Sequence, residues 1–303
     1  MNSPILAPMK HAAASLIALF ALGGAARHAY ADAIPASCMA SQAASRTMGA
    51  ASLTMSGYSA ALSGGGATLG VGQVMAQDRQ GHLTLPNLRD ANALISFSLL
   101  KLLHNGSPAG CRGVDGRPAL KSLRDALHQG AVAELVWTGI ALSDGKNRYT
   151  ADRVNVTLRS GQTPRSVDIN FAASGVSAPG GSALPGKLST TLTIPEQMLD
   201  STKSPEGRIT ISSLQALWDK GRLDGHGWIT PGRTTATSAG ELHVAITDLS
   251  DLLATIRPVL PSGVSTALAV AQFMGHRDGN QVLWDLTLGG GVLKVNSIPI
   301  PVN

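Results

Sequence analysis

Residues 240–260 read GELHVAITDLSDLLATIRPVL, and how they are read decides the fold. Leu242, Val244 and Ile246 alternate with His243, Ala245 and Thr247, the period of two that marks a strand with one buried face. From Leu249 the period lengthens. Leu249, Leu252, Leu253 and Ile256 stand at i, i+3, i+4 and i+7, the stripe of an amphipathic helix. Asp248, with Asp251 three residues on, offers a short acceptor to the first-turn amides, and Pro258 ends the helix. About twenty residues therefore predict a strand that feeds directly into a capped helix.

Working outward, the same transition is read at three more places. Residues 82–85 lead into Asn87-Leu88-Arg89-Asp90 and the apolar run 94–103. Residues 188–194 lead into Pro195, at a first-turn position, and then Met198-Leu199. Residues 208–211 lead into Ser213-Leu214 and then Leu217-Trp218. Further helices are expected over 118–129, where Gly130 is the stop signal, and over 265–274. Strands are expected over 53–62 and 67–85, joined by Ser63-Gly64-Gly65-Gly66. More follow over 133–142, 149–159, 166–171 and 223–229. Two closing strands complete the chain, the first with Val282, Trp284, Leu286 and Leu288 on one face and the second over 292–300. Clean alternation is the mark of an antiparallel sheet with one packed and one wet face. The expected class is α+β: a strongly twisted antiparallel sheet, a meander of hairpins, with amphipathic helices packed on one face. A porin-like barrel fits poorly, since it needs aromatic girdles and the aromatic content is 4%.

Composition bounds the rest. Of 303 residues 44% are hydrophobic and 14% charged, a balance that folds. Residues 1–31 have the form of a signal peptide: Lys10 and His11, an apolar run over 12–26, and Ala29-Tyr30-Ala31 as a cleavage site. The run is short for a membrane span, although a retained N-terminal anchor is the alternative. The mature chain then starts at Asp32, and the expected location is periplasmic or secreted. Residues 32–130 are expected to form a β-hairpin plus two-helix region, and 131–303 a β-rich region with helices, the two making one elongated body. Cys38 and Cys111 make an even pair, which in an exported chain predicts one disulfide. Closing that loop stabilises by roughly 4–5 kcal/mol on chain-entropy grounds. The formal charge of +5 falls to +3 without Lys10 and Arg27, and no basic stripe points to nucleic acid.

Chemical motifs do not survive inspection. Ser98-Leu99-Leu100-Lys101 matches S-x-x-K, but the S-D-N and K-T-G partners are missing, so a solvent-side Ser and Lys are expected. Residues 181–188 approach a phosphate-binding loop, but Leu188 replaces the metal-binding hydroxyl and a strand follows. Neither G-x-S-x-G nor H-E-x-x-H occurs, and the histidines lack metal-ligand spacing. Asp224, His226 and Asp278 assemble into a triad only on paper. No catalytic residue, metal ligand or cofactor is predicted.

The Gly240-Glu241-Leu242 strand, the Asp248-Leu249 helix and the closing Trp284…Leu293-Lys294-Val295-Asn296 hairpin together resemble uncharacterised proteobacterial envelope proteins of the AsmA-like and YdgA-like groups. The resemblance covers residues 131–303 and is one of pattern. It implies an elongated, curved sheet facing the periplasm and, in some relatives, a lipid-accommodating groove. The expected function is that of a non-catalytic exported envelope protein with a lipid or other hydrophobic ligand held between sheet and helices. Leu249, Leu252, Leu253, Ile256, Trp218 and Trp284 are the expected lining. The alternative is a structural or assembly partner of another envelope protein, with a fully packed core; a hydrolase using Ser98 or an Asp/His pair ranks third.

Overall fold

The computed structural model describes residues 33–104, 108, 111, 114, 117–179, 184–200, 207–256 and 273–301. The signal segment expected over 1–31, Pro258 and most of the helix expected over 265–274 lie outside the described residues. The elements in chain order are β1 (Met39–Gln42), β2 (Ser45–Met48), β3 (Ser52–Leu62), β4 (Thr68–Asp78), α1 (Leu85–Leu103), α2 (Arg117–His128), β5 (Val132–Ser143), β6 (Arg148–Ser160), β7 (Ser166–Ser174) and β8 (Lys187–Pro195). They continue with α3 (Gln197–Asp200), β9 (Ile209–Leu217), β10 (Arg222–Thr230), β11 (Ala239–Thr247), α4 (Leu249–Ile256), β12 (His276–Asp278), β13 (Gln281–Gly289), β14 (Val292–Val295) and β15 (Ile298–Pro301).

Among the described residues the fifteen strands form one antiparallel sheet whose order follows the chain. β1 and β2 share the outer edge of β3, and β12 and β14 share the outer edge of β13. Directly opposed residues of an antiparallel pair project to the same face, so the register can be followed across the whole sheet. One row runs Arg46, Met55, Val74, Trp137, Val154, Ala173, Leu188, Ala216, Leu223, Ile246, Val282 and Arg277. Ten apolar residues stand between two arginines. The expected one-sided apolar face is therefore real, and the α+β class with it.

Two cores sit on that face. The larger gathers Leu88, Phe97 and Leu100 of α1 and Leu120, Leu123 and Leu127 of α2 over Leu53, Val74, Trp137 and Ile169. The smaller joins Leu249 and Leu253 of α4 to Val282, Trp284 and Val295. Polar ties run through the large core. The Trp137 Nε1–H donates to Asn92 Oδ1 at 2.9 Å, Tyr58 O–H donates to Ser96 Oγ at 3.1 Å, and Ser96 in turn donates to the Asn92 carbonyl. Each member of this chain has a partner, which offsets the cost of burying it.

Local chemistry explains where the sequence reading holds and where it fails. The α1 helix starts two residues before Asn87, at Leu85. Thr84 is the cap, Pro86 stands in the first turn, and Thr84 and Asn87 bond reciprocally as a capping box. Residues 82–85 are not a strand. The Asp78 carboxylate accepts the N–H groups of Gln80, His82 and Leu83 and folds this stretch into a turn. The junction expected at 208–217 is likewise absent, because β9 runs unbroken to Leu217. Its pairings skip Ser212, with Ile211 opposite Leu192 and Gly227 but Leu214 opposite Thr190 and Gly225. That extra residue converts a spacing of two into three, and the resulting 211-to-214 interval imitates a helical step.

After β8, α3 is a single turn and Pro195 closes the strand instead of opening a helix. The β11–α4 junction stands as read, with one change. Asp248 adopts a left-handed φ of 55° and its side chain takes the Asn280 amide, while Leu252 N–H bonds to its backbone carbonyl. The expected final strand over 292–300 is a hairpin, β14–β15, turned at Asn296 and Ser297, both with positive φ.

Candidate functional site

β1 and β2 are short and, apart from Met39, exposed. They extend the sheet beyond the roof that α1 provides. Register carries their inward-facing residues onto known ground: Met39 lies opposite Leu62, Ser41 opposite Ala60, Arg46 opposite Met55 and Met48 opposite Leu53. Between this ledge and the first turns of α1 lies a cavity of about 470 Å³. Ile34, Met39, Met48, Leu53, Met55, Leu85 and Ala93 supply its apolar walls. Ser41, Arg46, Tyr58, Arg89, Asp90 and Asn92 supply its polar groups. Size, apolar walls and a few convergent polar groups are the attributes of a small-molecule site.

A disulfide and a hydrogen-bonded tyrosine stand beside this cavity. Cys38 and Cys111 form the expected disulfide. It ties the start of β1, next to Met39 of the outer wall, to Cys111 beyond the C-terminal end of α1. Burial pushes the Tyr58 phenol up, against the pull of its hydrogen bonds to Ser96, Ser41 and Asn92. Tyr58 therefore stays a neutral donor at the base of the cavity. Arg89 and Asp90 each hold an interaction of their own.

A larger cleft of about 890 Å³ lies near the other end of the sheet. Its lining mixes Leu214, Val244 and Trp284 with Asp224, His226, His243 and Asp285. His226 and His243 are direct cross-strand partners, and their rings stack with centroids 4.9 Å apart. His243 Nδ1 lies 2.6 Å from Asp285 Oδ1 and its Nε2 3.2 Å from Glu241 Oε1. The hydrogen bond to Asp285 holds the His243 pKa above its ordinary value, burial opposing, with the charges of Asp285 and Glu241 adding to the rise.

The residues expected to line a groove fall differently. Leu249, Leu252 and Leu253 are buried and Ile256 is half-buried, all on α4. Leu249, Leu253 and Ile256 pack with Val282 and Trp284 in the small core. Trp218 lies in the β9–β10 turn, where its N–H bonds to the Gly221 carbonyl. Ser98 is not solvent-side. Its Oγ is buried without a hydrogen-bond partner among the described residues, and Lys101, half-buried, has its pKa lowered by desolvation. The paper triad does not assemble: Asp224 holds Arg222, His226 stacks on His243, and His243 holds the carboxylates. Among the described residues no group of three or more His, Cys, Asp or Glu is placed to hold a metal ion. Nor is any helix among them long and apolar enough to cross a membrane.

Two features escaped the sequence reading. The ledge strands β1 and β2 lack alternation, since Ser45, Arg46, Thr47 and Met48 are all exposed. The His226–His243 pair depends on cross-strand register, and only the common polar phase of both strands hinted at it. The family model described as "Uncharacterized protein conserved in bacteria (DUF2125)" matches residues 25–302. No curated protein and no solved structure matches.

Proposed function

We propose, for a chain that belongs to this family of uncharacterised proteins conserved in bacteria, a non-catalytic role in the cell envelope, holding a hydrophobic ligand between sheet and helix. The observation that carries this reading is the apolar cavity of about 470 Å³ between the β1–β2 ledge and α1. The disulfide fits an oxidising compartment, as do the signal-like residues 1–31 and the pattern resemblance to AsmA-like envelope proteins. The ligand site moves from α4 to α1, because the leucines of α4 are already satisfied by the sheet beneath them.

The cavity suits an acyl chain. Three methionines line it, Met39, Met48 and Met55, one on each of β1, β2 and β3, and unbranched thioethers adapt to a flexible chain. The test uses the full-length chain purified without delipidation. Native mass spectrometry is expected to show a co-purifying lipid, and a fluorescent fatty-acid analogue is expected to bind. Ala93→Phe, which fills the cavity from α1, is expected to weaken that probe by about tenfold or more, roughly 1.4 kcal/mol. A wild-type chain that carries no lipid and binds no probe would leave the assembly-partner role in its place.

A further inference from the structure

The row of cross-strand neighbours that defines the apolar face is broken by charge only at its two ends, Arg46 and Arg277. An arginine on the core-facing side of a sheet has two physical explanations. It can guard an edge strand against pairing with another chain, or it can meet an anion. Arg277 has only the first explanation available in its favour: it lies on β12 and is exposed. Arg46 differs, because it lines the cavity beside the apolar walls. Its charge is also felt at the buried Tyr58 hydroxyl, where it favours the phenolate. A second guanidinium, Arg89, stands on the facing turn of α1, and Asp90 is the one carboxylate in the lining.

We infer that the cavity takes an acidic amphiphile, with its hydrocarbon chain among Met39, Leu53 and Met55 and its anionic headgroup against Arg46. The inference rests on the ligand-binding reading above and narrows the ligand class. An apolar tail alone has no use for a cation at the cavity mouth, whereas a carboxylate or phosphate gains a charge-assisted, bidentate partner in a guanidinium. The solvent-exposed position of Arg46 makes the gain modest, because water screens the pair.

The test compares hexadecanoic acid, its methyl ester, hexadecyl phosphate and inorganic phosphate as displacers of a fluorescent fatty-acid analogue from the full-length chain. The wild-type chain is expected to bind both acidic amphiphiles about fivefold more tightly than the ester. Inorganic phosphate alone is expected to displace nothing, which separates an amphiphile site from a free-anion site. Arg46→Gln is expected to erase the preference while leaving ester affinity unchanged, and Arg46→Lys to restore part of it. Equal binding of acid and ester by the wild-type chain overturns the headgroup assignment and leaves the apolar cavity standing. So does an Arg46→Gln chain that keeps the preference but self-associates on size-exclusion chromatography, which would make Arg46 an edge guard. Displacement by inorganic phosphate as strong as by the acids overturns the amphiphile itself. Failure of every probe to bind removes the ligand-binding reading and this inference together.

Discussion

The two ends of the sheet solve the same problem with different means. At the N-terminal end two helices cover the apolar face, and a buried polar chain through Tyr58, Ser96, Asn92 and Trp137 fixes where α1 sits. Asp78 bonds four backbone N–H groups, those of Gln80, His82, Leu83 and Val132, and so clamps the exits of β4 and the entry of β5. At the C-terminal end, among the described residues, one eight-residue helix packs on Val282 and Trp284 by apolar contact, and the row His226, His243 and Asp285 stands on the opposite face. A face pinned by directional bonds can leave a gap beside its roof without collapsing into it. The leucines of α4 pack against the sheet, whereas a cavity stands open beside the first turns of α1, and the cleft at the C-terminal end has a mixed polar and apolar lining.

The largest way to break the contrast is to cut the staple. Cys38→Ser with Cys111→Ser is expected to cost about 4 kcal/mol in urea unfolding, with hydrogen exchange rising in β1 and β2 and not in β13. Fraying that spreads equally to both ends would contradict the division.

Next comes the clamp. Asp78→Ala strands four N–H groups around a buried position and is expected to cost about 3 kcal/mol. Asp78 also predicts acid sensitivity. Burial alone would raise its pKa, but the backbone donors outweigh burial and hold it below the ordinary carboxylate range. Its stabilising contribution is therefore fully present above the unfolded value of about 3.9 and is lost as pH falls through the lower folded value. In a stability profile from pH 5 to pH 2, Asp78→Asn should flatten part of the wild-type decline.

At the other end Leu253→Ala is expected to cost about 2.5 kcal/mol by leaving a cavity in the small core, while fatty-acid probe affinity at the distant cavity stays within twofold. A coupled loss of probe binding would show that the two cores act as one. Ser98→Ala removes a buried hydroxyl that has no hydrogen-bond partner among the described residues, and a gain of about 1 kcal/mol is expected in thermal unfolding. The smallest effect on stability concerns His243. Its NMR titration midpoint should lie above 6.5 and fall in Asp285→Asn. Because the folded pKa is raised, the pair stabilises fully below the unfolded value and its contribution disappears as pH rises through the folded one. Acid thus weakens the N-terminal end through Asp78, and rising pH weakens the C-terminal end through His243.

Much of the architecture was legible in residues alone. Alternation in Leu242, Val244 and Ile246, the stripe through Leu249 and Leu253, and the pairing of Cys38 with Cys111 all survive in the folded chain. These are local patterns, or for the cysteines a consequence of count and compartment, so a linear reading reaches them. The site was not legible. Its outer wall is made of exposed β1 and β2, whose residues follow no hydrophobic period, and its position depends on a roof that stops short of an edge.

What the sequence by itself determined is which residues avoid water and with what period, and hence that an antiparallel sheet would bury one face beneath helices. Only the tertiary structure decided where that face would stay open. A bulge at Ser212 turned an expected helix back into β9, cross-strand register set Arg46 beside Met55 and His226 beside His243, and Asp78 folded a supposed strand into a turn. Periodicity is set by neighbours along the chain. Register and roofing are set by partners tens of residues away, and no local pattern encodes which of them will meet.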